Sequence, residues 1–183
     1  MPVLKFRPTA VTDAIALLRA VNANAAFLSP WVTTPKRVTD LGAAQDLVTE
    51  VLPNGMPARY GVFLGESLTA SAKLVLNESD VPDYEIGLWC VQDWVGRGVG
   101  RWILSNAIDR AFSIGANRVT LRHAVSNSAS GKLMGRVGAT LEGVLRDATR
   151  IRDRLDGVVL YGILREDWPT TQALGWCEPC REF

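Results

Sequence analysis

Tyr84 to Ala111, YEIGLWCVQDWVGRGVGRWILSNAIDRA, is the stretch that decides the fold. Tyr84 to Val91 is a mostly apolar run with aromatic and branched side chains, the pattern of a buried strand. Gly96, Gly98 and Gly100 then fall within five residues, with Arg97 between the first two. From Val99 the period changes. Val99, Ile103, Ala107 and Ala111 recur at helical spacing, with Trp102, Leu104 and Ile108 filling in. The order is strand, glycine-rich turn, helix. Glycines remove side chains that would block approach to the backbone, and a helix N-terminus presents unpaired N–H groups at the positive end of its dipole. Together they make an anion site, most naturally for phosphates. A tight turn between a strand and a packed helix is the plainer alternative for the same residues. Two phosphate motifs are excluded. A P-loop needs Lys and then Ser or Thr after its last glycine, where this chain has Arg101 and Trp102; the dinucleotide fingerprint needs a third glycine that Arg101, Trp102 and Ile103 do not supply.

Outward from this stretch, 183 residues make about one domain, and an apolar fraction of 48% is enough for a real core. We expect one domain over 1–170 and a short tail over 171–183. A net charge of +1 does not suggest nonspecific nucleic-acid binding, and no nucleic-acid partner is expected. No apolar run approaches the ~18 residues of a membrane span, and the N-terminus lacks the apolar core of a signal peptide. The three cysteines, Cys90, Cys177 and Cys180, are an odd and sparse set that argues for a reducing compartment, so a cytoplasmic location is expected. Cys177 and Cys180 form a lone C-x-x-C, two ligands short of a usual zinc site, and no metal is expected.

Val3 to Arg7 predicts a first strand. Thr12 or Asp13 can cap a helix that turns Ile15, Leu17, Leu18 and Val21 inward. Phe27 to Pro35 is a proline-interrupted aromatic loop. A second helix carries Leu41, Ala44, Leu47, Val48 and Val51 inward and stops before Pro53. Tyr60 to Leu64 and Leu68 to Leu76 predict an antiparallel pair turned at Gly65. After the central helix, Gly115 marks a stop, Arg118 to Val125 a strand, and Asn127 to Arg136 a helix ending at Gly138. Leu145 to Ile151 and Val158 to Leu164 predict the last strand pair, with Trp168 and Pro169 closing the domain. The whole is a mixed α/β sheet of about seven strands.

In this order and spacing the residues resemble the GNAT superfamily of acyl-CoA-dependent N-acyltransferases, and within it the branch that acetylates N-terminal amines of ribosomal proteins. Four segments carry the resemblance: EIGLWCV; VGRGVG leading into a helix; NSASGKLMGRVG from Asn127 to Gly138; and LEGVLRDA followed by VVLYGILREDW. It implies a mostly antiparallel sheet with flanking helices, splayed where acyl-CoA enters. The chain departs from the family pattern at four places. Val95 stands where a Gln or Arg usually opens the pyrophosphate motif, and Ala139 where Phe is usual. Met134 stands where many members have a Tyr that protonates the leaving thiolate, and Thr149 where the ribosomal branch has a Glu proposed as base. Met134 cannot donate a proton.

What the resemblance implies is direct transfer of an acetyl group from acetyl-CoA to a primary amine, either a protein N-terminus or a small molecule. Gly96, Arg97, Gly98, Val99, Gly100 and Arg101 would hold the phosphates. A backbone N–H at Cys90 or Val91 would meet the oxyanion. Asn127 would bond the pantetheine arm or cap its helix. Ser130 is the candidate proton donor to sulfur, with a first-turn helix position as its structural alternative. Glu85, at the start of the central strand, is the candidate base, acting through water, with Asp83 and Glu142 in reserve; an ordinary polar strand position is its alternative. Phe27, Trp31 and Glu85 would line the acceptor pocket. A homodimer is compatible with the resemblance. His123, the lone histidine, and Cys90, with nothing basic beside it in sequence, are not expected to react. The arginines of the last hairpin default to a solvated, self-paired surface. A non-catalytic acyl-CoA-binding module is the alternative left open by Met134 and Thr149.

Overall fold

The computed structural model describes residues 3–169. They fold as β1 (Leu4–Pro8), α1 (Ala14–Ala23), α2 (Ala25–Leu28), α3 (Thr34–Arg37), α4 (Leu41–Val48), β2 (Arg59–Leu64), β3 (Ser67–Leu76), β4 (Asp83–Cys90), α5 (Val99–Ser113), β5 (Arg118–Ala124), α6 (Ser128–Arg136), β6 (Thr140–Ile151) and β7 (Arg154–Leu164). The seven strands make one sheet in the order β1-β2-β3-β4-β5-β7-β6. Every pair is antiparallel except β4 with β5.

Strand alternation assigns the two faces. Tyr60, Val62, Ala70, Ala72, Leu74, Tyr84, Ile86, Val119 and Leu121 turn to one face and pack on Ile103, Leu104, Ala107 and Ile108 of α5. Phe63, Leu68 and Trp89 turn to the other and meet Leu17 and Val21 of α1 and Leu47 and Val48 of α4. Full burial of each Val, Leu, Ile or Phe side chain among them is worth about 1.5–3 kcal/mol. α5 stops where Gly115 takes φ +104. Arg165 donates to the carbonyls of Phe112 and Ala116, and the Trp168 indole donates to Asp109 at 2.6 Å, which closes the chain against α5.

Several local expectations change. The 27–35 segment takes in the end of α2, a turn and the start of α3. Asp13 turns its carboxylate back to the Ala10 N–H (2.8 Å) and to Arg7 (2.7 Å), so it ties β1 to the start of α1 and leaves α1 without a side-chain cap. Asp40 caps α4 by accepting the Ala43 N–H. Ile15, Leu41 and Val51 are exposed, because α1 and α4 pack on each other and on the sheet through their other faces. The last hairpin begins at Thr140, not Leu145, and takes an irregularity around Asp147, whose φ is +50. Cys177 and Cys180 lie outside the described residues. No helix among the described residues is long and apolar enough to cross a membrane.

Glu50, just past α4, gathers three cations: Arg37 at 2.9 Å, Lys73 at 3.0 Å and the buried Arg59 at 3.1 Å. Burial pushes the Glu50 carboxyl up, but hydrogen bonds from Lys73 and Arg37 and the charge of Arg59 outweigh it, and the net shift is downward. A depressed folded value stabilises the fold above the ordinary carboxylate range and loses that contribution as pH falls through the depressed value. Glu50→Gln should cost roughly 1–3 kcal/mol at neutral pH, because Arg59 keeps its charge and loses its counter-ion. Urea unfolding at pH 7 and pH 3 is the check: the gap between the two proteins should narrow at the lower pH.

Candidate active site

β4 and β5 are paired only at Asp83–Arg118, Tyr84–Val119 and Glu85–Thr120. Beyond that point β4 runs on to Cys90, held by β3 through Ala70. β5 runs on to Ala124, held by β7 through Val158. Each strand keeps its outer neighbour and loses its inner one, so the sheet opens into a wedge. Successive peptide groups of a strand point to opposite edges. The Val91 N–H donates to the Thr69 carbonyl at 2.9 Å, so the Cys90 N–H faces the wedge. Of the two groups expected at the oxyanion, Val91 is therefore committed to β3 and Cys90 is the one available.

The glycine turn stands at the mouth of the wedge. Gly96 and Gly98 have φ +80 and +83, and no atom lies within 4 Å of where a Cβ would stand on either. Their requirement is conformational: an L side chain there is strained by about 1–2 kcal/mol, while the space around them is open. Gly98 is the N-cap of α5 and provides no side-chain cap. The first turn of a fifteen-residue helix thus has no side-chain cap and follows the exposed residues Gly96, Arg97 and Gly98; the unpaired amides of such a helix start suit a pyrophosphate. Val99, fully buried, anchors the turn to the core. Arg97 stacks over Trp94, 5.7 Å from the ring centroid, and Arg101 is exposed in the first turn of α5.

α6 forms the other flank. Its cap is Asn127, whose side chain accepts the Ser130 N–H at 3.2 Å, so the capping alternative for Asn127 is realised. Leu133, in the second turn of α6, reaches to 3.6 Å of the Cβ position of Gly100, in the first turn of α5. Ser130, half-buried, sits in the first turn of α6. Met134 is buried in the core, and Thr149 pairs with Asp156 far along the last hairpin. His123 stacks on Tyr161 and lies against Gly131 of α6, with Nδ1 2.7 Å from the Ala124 carbonyl.

Glu85 projects from the opposite face, the one that carries Trp89. Its carboxylate is ion-paired with Arg122, which lies on β5 past the last β4–β5 partner. The pair therefore spans the wedge where it begins to open. The two reserve carboxylates are occupied. Asp83 accepts from Thr120 (2.9 Å) and Asn77 (2.9 Å). Glu142 is gripped by Arg118, whose hydrogen bonds hold its carboxyl below the usual carboxylate range. This second pair crosses β7 above Gly162, where a Cβ would collide with both partners. Phe27 is half-buried and Trp31 exposed. The Asn24 side chain accepts the Gln92 N–H at 2.9 Å, which fastens the α1–α2 junction to the end of β4. Sequence periodicity gave no sign of Arg122; only the β4–β5 register brings it to Glu85. A groove of about 780 Å³ elsewhere, lined by Arg7, Asp13, Arg19, Glu66 and Leu68 among others, includes no residue of β4, β5 or the glycine turn.

Among the described residues no group of three or more His, Cys, Asp or Glu gathers as metal ligands. Burial pushes the Cys90 thiol up to about 12, so it is protonated near neutral pH and a poor nucleophile.

The parallel pair opens into a wedge beside a glycine-capped helix, with one strand N–H turned into the gap. The acetyltransferase (GNAT) domain model matches residues 4–140, and the chain belongs to that family. It is 31% identical over 85 residues to YdaF of Bacillus subtilis (strain 168), a match spanning 46% of either chain. Among solved structures, it is similar to Mycobacterium smegmatis RimJ in complex with CoA-disulfide, with TM-score 0.78, 21% identity and coverage of 95% and 91% of the two chains. It is also similar to ribosomal-protein-S5-alanine acetyltransferase from Vibrio fischeri, with TM-score 0.81, 16% identity and coverage of 92% and 97%.

Two outcomes test this geometry. Gly98→Val should weaken CoA binding about tenfold by straining the α5 cap, and Arg101→Glu should weaken it by a similar factor through charge reversal; unchanged calorimetric affinity in both would remove the turn from the phosphate site. Mass spectrometry after incubation with acetyl-CoA and no acceptor should find Cys90 unmodified, and a stoichiometric, chemically competent acetyl adduct there would contradict its burial.

Proposed function

We propose that this protein transfers an acetyl group from acetyl-CoA directly to a primary amine in a ternary complex. The observation that carries the proposal is the wedge: an opened parallel pair with a strand N–H turned into it, beside a helix N-terminus without a side-chain cap. Bound acetyl-CoA would supply the thioester. The amides from Gly96 to Arg101 would hold its pyrophosphate, and Asn127 and Ser130 would flank its pantetheine arm. The Cys90 N–H would donate to the oxygen on which negative charge develops. A donor fixed in the sheet needs no reorganisation during the reaction. The similarity to a ribosomal-protein-S5-alanine acetyltransferase supports a protein acceptor, reacting at its N-terminal amine; a small amine fits the same chemistry.

The two candidate side chains stand on different sides of the transfer. Glu85 lies on the face that α1 and α4 leave open, where an amine can enter. Ser130 lies on α6, beside α5. Glu85 removes an amine proton, directly or through water, before the carbon–nitrogen bond is complete. Ser130 hands a proton to sulfur afterwards. An α-amino group, with a pKa of about 7.7–8.0, is partly neutral at pH 7, so the base contributes a modest factor.

Release of free thiol from acetyl-CoA with a panel of amines, with the product identified by mass, is the primary test; no release with any amine would overturn the proposal. Glu85→Gln should lower kcat roughly ten- to a hundredfold at low pH and recover as pH rises past the amine pKa. Ser130→Ala should lose a similar factor with less recovery, because raising the pH supplies no proton to a thiolate. Wild-type-like pH–rate profiles in both variants would assign the reaction to backbone positioning alone.

A further inference from the structure

We infer that the favoured acceptor carries an acidic group close to its reacting amine. This rests on the acyl-transfer proposal above and adds the chemical class of the acceptor.

The sheet register supplies the argument. Arg59, Lys73 and Gly87 are partners across β2, β3 and β4, so they share a face, one strand spacing of about 4.8 Å apart. Glu85 lies on that face of β4 too, two positions before Gly87. Gly87 is exposed and nothing lies within 4 Å of its Cβ position. It forms an open floor next to Glu85, on the side where the wedge widens. Around this floor stand Lys73 and Arg59, with Arg37 brought in through Glu50, and Arg122 across the wedge. Four cations thus face two carboxylates, Glu50 and Glu85. Arg59 is almost fully buried, but the side chains of Arg37 and Arg122 are each 48% exposed and that of Lys73 is 29% exposed.

Of the other charges on this face, Lys5 and Arg7 lie on β1, and Asp156 lies at the far end of β7, bonded to Ser126. Asp83, Arg118 and Glu142 lie before the wedge opens, bonded to one another's elements and to Thr120 and Asn77. An acceptor arriving as an ammonium ion competes with Arg122 for Glu85. When it takes Glu85, it releases a guanidinium that needs a new anion within reach. A carboxylate one residue along an N-terminal peptide provides it, with Lys73 on the near side of the floor. A basic neighbour on the acceptor would instead leave Arg122 unpaired beside a like charge.

The test uses peptides alike except at the residue after the amino terminus: acidic, its isosteric amide, and lysine. At low salt kcat/KM should rank acidic above amide above lysine, with about a tenfold difference between acidic and amide expressed mainly in KM, since each half-exposed pair is worth up to about fivefold. The preference should shrink as ionic strength rises. Arg122→Gln should reduce it to within about twofold. Arg122 also holds Glu85, so Lys73→Gln is the independent variant: it should reduce the acidic-to-amide ratio, taken within that variant, about threefold. Equal kcat/KM for acidic and amide peptides, with turnover intact, would overturn the acidic preference and leave acetyl transfer standing. No turnover with the peptides or with any other amine would overturn both.

Discussion

The structure depends on one interrupted hydrogen-bond ladder. β4 and β5 lie side by side for three residue pairs and then part. Strand edges left open inside a sheet cost free energy unless something satisfies them. The cost here is contained because β3 and β7 hold the two strands from outside along their full lengths. α5 and α6 pack on one face of the sheet here, and α5 starts at the glycine turn that follows β4. A donor edge, a helix dipole and a wedge-shaped space therefore meet at one place without any catalytic side chain being required to shape it.

Electrostatics then divides the two faces. On the face of α5 and α6 the groups near the wedge carry no ion pair among those described: the Cys90 backbone, Asn127, Ser130 and the His123 ring. On the opposite face they are ionised side chains, and most are already paired: Glu50 with three cations, Glu142 with Arg118, Glu85 with Arg122. Glu85 differs from the others by position. Its partner reaches to it across the gap, and the floor next to it carries no side chain. It is the carboxylate that an incoming cation can reach with the least loss of existing structure.

Membership of the GNAT acetyltransferase family fits a chain that lacks the Tyr and the Glu expected at two positions. Met134 is core, packed where a proton donor would be inaccessible, and Thr149 sits on the last hairpin opposite Asp156. Acyl transfer from a thioester to a partly neutral amine asks little of either proton transfer. A rigid backbone donor and close placement of reactants can carry most of it.

The amino-acid sequence by itself determined the elements that depend on local periodicity: the strand from Tyr84, the glycine turn, and the helix from Val99 with its stop at Gly115; it offered Asn127 as a cap only as one of two roles. Each is written within a few residues, through burial pattern, left-handed glycine or a side-chain acceptor at a helix start. The tertiary structure alone decided the rest. Arg122 and Glu85 are 37 residues apart, and nothing in either neighbourhood marks them as partners. Glu50 collects Arg37, Arg59 and Lys73 from three separate elements, and Val91 loses its N–H to Thr69 because β3 continues past β4's last wedge residue. These are matters of register between distant strands. A strand's own pattern says which side is buried, but which residue of another strand stands opposite is set by how the whole sheet packs.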